Sequence, residues 1–80
     1  ASAALFFHHK ALDIREKILP EDHPDLAISF NNIALVYVKM EEYLNALDFH
    51  EKALAIQERT LAPNDLILAI SYNNIGMVYD

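Results

Sequence analysis

Apolar residues recur along this chain at spacings of three, four and seven, the period of helices that bury one stripe. Residues 2–19 place Ala4, Leu5, Ala11, Leu12, Ile14, Ile18 and Leu19 in that pattern. Pro20 closes the segment, because proline disfavours helical backbone in the residue before it. Glu21-Asp22-His23-Pro24-Asp25 forms a connection. Asp22 or His23 suits the N-cap, and Pro24 the first helical position, where its missing N–H costs nothing. Asp25 then sets a negative charge in the first turn, favourable for the helix dipole. A second helix is predicted over 24–40. Leu26, Phe30, Ile33, Tyr37 and Met40 share a core stripe with Ala34 beside it. Ile28, Asn32, Leu35 and Lys39 fall on the opposite side, with Asn31 flanking. A helix apolar on two faces buries both or offers one to something else. Glu41-Glu42 turns the chain into a third helix, 43–61, where Ala46, Leu47, His50, Ala53, Leu54, Ile56 and Leu61 repeat the pattern of the first. Ala62-Pro63-Asn64-Asp65 connects it to a fourth helix, 66–80, with Asn64 or Asp65 as N-cap.

The pattern is also periodic on a longer scale. The stretch from Leu26 to Tyr37, LAISFNNIALVY, returns 42 residues later, from Leu68 to Tyr79, as LAISYNNIGMVY. Sliding the whole chain by 42 aligns 38 pairs, of which 19 are identical. This is a repeat protein in which each unit stacks on the next. The predicted architecture is all-α, four antiparallel helices, with no flexible linker between them.

Composition supports helix throughout: one Gly and three Pro in 80 residues leave little room for strands or loops. An apolar share of 54% is enough for a core. The chain has no Cys, so neither a disulfide frame nor a thiolate metal site is available, and the lean is weakly toward the cytoplasm. No apolar run reaches the roughly 18 residues of a membrane span. No signal peptide is visible, and a first residue other than Met leaves the natural start open. The net charge of −6 disfavours nucleic acid or an anionic membrane as partner, since both need clustered Lys and Arg.

The small and aromatic positions carry a family resemblance. The spacing of Phe30, Ile33, Ala34 and Tyr37, then Tyr43 and Ala46, then Ala53, resembles the tetratricopeptide repeat. The period here is 42, against about 34 in the common form. The segments ALDIREK (residues 11–17) and DHPDLA (22–27), followed by NNIA (31–34), look like the longer repeat of kinesin light chains and related arrays. The resemblance implies a right-handed α-solenoid whose A helices line a concave groove that takes peptides. It makes the second and fourth helices A helices and the first and third B helices, in the order B-A-B-A. Two departures stand out. Glu41 occupies the turn position where the family usually has Gly, and a left-handed Glu costs on the order of 1 kcal/mol, so that turn is expected to adjust. Peptide-carboxylate clamps in the family use groove Lys and Arg, and only Lys39 is available here, which argues against such a clamp.

Two functional surfaces follow as expectations. The first is a peptide groove formed by Ile28, Asn31, Asn32, Leu35 and Lys39 on one A helix and Ile70, Asn73, Asn74 and Met77 on the other. An Asn side chain both donates and accepts, so it can pair with the backbone amide of an extended peptide without reading its sequence; the resemblance implies that role for Asn32 and Asn74. The competing reading is that these amides tie neighbouring helices together, and it is the stronger one for Asn31 and Asn73. The second surface is the pair of uncapped ends, with Phe6 and Phe7 at one and Met77, Val78 and Tyr79 at the other. A B helix is what an A helix packs against, so the ends are complementary, and chains are expected to associate head to tail or exchange helices. The near-identity of the two repeats favours this scaffold role slightly. No cofactor and no metal are expected: His8 and His9 point about 100° apart on a helix, and His8 and His50 are assigned to packing. The twelve carboxylates fall on turns and solvent faces, and no phosphate loop or nucleophile–base spacing accompanies them. The chain is read as non-catalytic.

Overall fold

The computed structural model describes residues 2–62 and 64–79. Its elements are four helices: α1 (Ser2–Ile18), α2 (Pro24–Lys39), α3 (Tyr43–Thr60) and α4 (Leu66–Tyr79). The fold is all-α, and α1, α2 and α3 each stop one residue short of the expected boundary. Pro63, expected in the second connection, and Asp80, expected to end the fourth helix, lie outside the described residues. Each helix packs on the next in chain order, and the α2–α3 pairing is the most extensive. Extents of 35 × 34 × 15 Å give a slab rather than a bundle around one axis.

Local chemistry sets the helix ends. Of the two cap candidates before α2, His23 takes the role: its Nδ1 accepts from the Asp25 N–H at 3.1 Å. Pro24 sits at the first turn, where no N–H is missed. Before α4 it is Asp65, whose Oδ1 accepts from the Ile67 N–H at 2.9 Å. At the end of α2 the turn does not adjust to Glu41. Glu41 adopts φ 61°, in the left-handed region. The reason is visible in the backbone: the Glu41 N–H donates to the Val38 carbonyl at 3.0 Å and the Glu42 N–H to the Tyr37 carbonyl at 2.9 Å. A left-handed residue there lets two orphan carbonyls of the helix end be satisfied.

The core lies between α1, α2 and α3. Leu12, Leu26, Ala27, Phe30, Ile33, Ala53 and Ile56 form its buried cluster, with Leu5, Tyr37 and Phe49 packed against it. Ala34, Ala46 and Ala53 are fully buried, and side chains this small let the helices pack closely there. α1 departs from its expected stripe. Leu12 is buried and Leu5 and Leu19 are half-buried, but Ala4, Ala11, Ile14 and Ile18 are exposed. Among the described residues α1 packs through its Leu5 and Leu12 side, and its outward apolar residues are not covered.

Consecutive repeats are also joined by a polar tie to a buried serine. Arg15 on α1 donates to Ser29 Oγ on α2, and Ser71 on α4 donates to Gln57 Oε1 on α3. The two pairs are equivalent by the 42-residue shift, and both serines are buried. Burial of a hydroxyl is tolerable only with such a partner.

Replacing Glu41 by Gly removes the left-handed strain while keeping both hydrogen bonds. Glu41→Gly is expected to raise the unfolding free energy by about 1 kcal/mol in urea denaturation. Glu41→Ala, still left-handed, should leave it nearly unchanged. Equal effects of the two would place the cause in the lost charge instead.

Candidate functional site

Packing uses most of α2 and only part of α4, and what is left over defines the candidate surface. On α2, Leu26, Ala27, Ser29, Phe30, Ile33, Ala34 and Val36 are buried. The remaining stripe runs through Ile28, Asn32, Leu35 and Lys39, at steps of four, three and four. Ile28, Leu35 and Lys39 are exposed and Asn32 is half-buried. The equivalent stripe on α4 has Ile70 and Met77 exposed and Asn74 half-buried.

Two apolar cavities open between these helices and α3. One, of about 90 Å³, is lined by Ala27, Ile28 and Ile67 with Gln57 and Leu61. The other, of about 110 Å³, brings together Leu35, Asn74, Met77 and Val78 with Tyr43 and His50. The structure therefore gathers three of the groove candidates, Leu35, Asn74 and Met77, around one cavity, and sets Ile28 at the other. Asn32, Lys39 and Ile70 line neither of these two. Val78, expected at the chain end, is half-buried and belongs to the same cavity as Leu35.

The adjacent asparagines diverge. Asn31 faces α3, where the His50 Nδ1–H donates to its Oδ1 at 2.9 Å. Its repeat equivalent Asn73 lies on the outer side of α4, beside Gly76 and Tyr79. A step of one residue turns the side chain by about 100°, which separates Asn31 and Asn73 from Asn32 and Asn74. His50 is almost fully buried in this seam, and burial lowers its pKa below the ordinary 6.5 because the charged imidazolium is poorly solvated there.

The surface is nearly uncharged. Asp25 and Lys39 are the charged residues of α2, and α4 has none; α1 and α3 nearly balance their own charges, so the net charge of −6 comes from the connections (Glu21, Asp22, Glu41, Glu42 and Asp65) and Asp80. Among the described residues no group of three or more His, Asp or Glu is placed to hold a metal ion. No helix among them is long and apolar enough to cross a membrane. The Ser29 and Ser71 ties were not expected from the sequence, although both serines are unchanged across the 42-residue shift.

Comparison with known families gives two matches along the chain. A family model described as the tetratricopeptide repeat matches residues 25–80, and a second of the same description matches residues 2–25. No curated protein matches the chain closely enough to serve as a relative.

The buried histidine makes stability depend on pH. The unfolded chain takes up a proton at His50 near pH 6.5, whereas the folded chain resists it. Unfolding free energy should be greatest above that pH and fall as pH drops through 6.5, by up to about 1.4 kcal/mol per pH unit. Chemical denaturation between pH 7.5 and about pH 5.5 reads this, and His50→Gln, which keeps a donor but does not titrate, should flatten the profile. An equally steep fall in that variant would remove His50 as the cause.

Proposed function

The chain belongs to the tetratricopeptide repeat family, whose repeats are generally protein–protein interaction modules, and from that premise we propose that it binds an extended peptide along the face shared by α2 and α4. The 42-residue period supports reading it as the long-repeat kind, similar to that of kinesin light chains. The observation that carries this reading is the open stripe itself. Ile28, Leu35, Ile70 and Met77 are exposed although two half-buried amides, Asn32 and Asn74, sit among them. Apolar area left in water forgoes about 25 cal/mol per Å², so a partner that covers it gains that term. Asn32 and Asn74 pair with the partner's backbone amides while its side chains enter the two cavities. With Lys39 the one cation of the stripe, affinity comes from amide pairing and apolar contact rather than charge. The partner is a segment with apolar side chains and no required terminal carboxylate. The role is non-catalytic, as is typical of the family.

A second reading has its own observation. Phe6 and Phe7 on α1, and Tyr72 and Tyr79 on α4, are all more than half exposed. Aromatic residues on the outer faces of both terminal helices favour self-association through those faces.

The groove reading is tested with linear peptides selected from a displayed random library and then synthesised. Asn32→Ala or Asn74→Ala should each weaken the selected peptide about tenfold, the value of one buried hydrogen bond. The melting temperature should stay close to that of the parent chain. Binding should change little between low and high salt, since few charges take part. Lost stability with unchanged affinity would assign both asparagines to helix packing and sink the proposal.

A further inference from the structure

The α2–α3 seam is a template that the outer faces of α4 and α1 reproduce. In the seam, Phe49 of α3 stacks on Tyr37 at 5.7 Å and lies 6.1 Å from Phe30. Lys52 Nζ sits 4.8 Å from the Phe49 ring centre, and His50 bonds Asn31. Ala34, Ala46 and Ala53 allow the close approach. Advancing the α2 side by 42 residues gives Tyr72, Asn73, Gly76 and Tyr79 on α4. Moving the α3 side back by 42 gives Ala4, Phe7, His8, Lys10 and Ala11 on α1. Every seam position keeps its chemistry: aromatic for aromatic, Asn for Asn, Gly for Ala, and Ala, Phe, His and Lys unchanged. On the α3 side all five of these positions are identical, against five of the other fourteen in residues 43–61; on the α2 side two of the four are identical and the other two stay aromatic or small.

The two faces are open where their equivalents are covered. Phe7 is 67% exposed, Tyr72 51% and Tyr79 71%. A Cβ added at Gly76 would meet nothing within 4 Å, whereas its equivalent Ala34 is fully buried. Beside Gly76 lies a depression of about 370 Å³, lined by Asn73, Met77 and Tyr79. The Tyr72 hydroxyl is held by Glu58 Oε2 at 2.6 Å, which keeps that ring in place without covering it.

We propose that α1 of a second copy docks on α4 in the register of the α2–α3 seam. Phe7 seats on Tyr72 and Tyr79, His8 pairs with Asn73, Lys10 lies over the rings, and Ala4 and Ala11 meet Gly76. This rests on the self-association reading and specifies its geometry. The contact is heterologous, with a different face used by each partner, so each added copy presents the same free α4 face again and assembly is open-ended.

The experiment is sedimentation velocity on the parent chain, on Phe7→Glu, on Tyr79→Glu, and on an equimolar mixture of the two variants. Both substituted residues are exposed, so folding is unaffected, as circular dichroism will verify. The parent chain should form growing species with concentration. Each variant alone should be monomeric, because each has one blocked face. The mixture should give a 1:1 dimer, since Tyr79→Glu retains a competent α1 face and Phe7→Glu a competent α4 face. The chain has no native Cys, so register can be read in that dimer with a short bis-maleimide. Asn73→Cys on one member should crosslink to His8→Cys on the other but not to Lys17→Cys, which lies about 13 Å further along α1. A parent chain monomeric at every concentration would overturn self-association altogether, and leave both faces to further repeats or another protein. Association of the parent chain without a dimer in the mixture, or a dimer of Tyr79→Glu alone, would overturn this register while self-association stands.

Discussion

The close approach of α2 and α3 is the constraint on which the rest of the molecule depends. Ala34, Ala46 and Ala53 have no side chain beyond Cβ, so the two helices can approach until Phe49 is clasped by Phe30 and Tyr37. Interiors are packed to crystal density, and a larger group at any of these alanines would force the helices apart at a cost of about 1–3 kcal/mol. Their separation fixes where Asn31 meets His50 and which arc of α2 is consumed by packing. The unconsumed arc is the stripe of Ile28, Asn32, Leu35 and Lys39. The candidate binding face is thus what remains after the seam has taken its share.

A repeat built this way has no single core shared by every helix: the main buried cluster lies among α1, α2 and α3, and α4 packs on α3. Each helix touches its neighbours in the chain, and stability is close to a sum of unit and interface terms. The interfaces are of two kinds. Within a unit the A–B contact is aromatic and alanine-lined. Between units the B–A contact adds the polar ties of Arg15 to Ser29, part-buried, and of Gln57 to Ser71, buried. The ties restrain sliding of one unit on the next, because a slipped register would strand a buried hydroxyl or amide. Among the described residues the outer faces of α1 and α4 keep seam chemistry and stay exposed, and apart from Met77, which borders both, peptide capture and self-association use different residues.

Much of the fold was legible because helical period and the 42-residue shift are both local in sequence. The rest depended on neighbours, which periodicity does not count. Ile14 and Ile18 fit the stripe of α1 yet lie exposed, since none of the helices among the described residues covers that side. The caps narrowed to pairs because Asp22 and His23 both offer an acceptor, and only the path into Pro24 decides for His23. Glu41 looked unfavourable on its own, but the strain of one residue is outweighed by two carbonyls that its conformation satisfies. The asparagine pairs were the hardest to separate. Asn31 and Asn32 have the same chemistry and differ by 100° of helix rotation, and only the position of His50 shows that Asn31 is engaged between helices.

Native-state hydrogen exchange, at a concentration low enough to keep the chain monomeric, tests most directly whether the α2–α3 seam holds the structure. Opening free energies differ between parts of a protein according to how well each is packed. Amides in the middle of α2 and α3 should exchange slowest and only through global unfolding. Those of α1 and α4 should open earlier, each detaching from the central pair. Equal protection across all four helices, or the slowest exchange in α1 or α4, would contradict a fold organised around that seam.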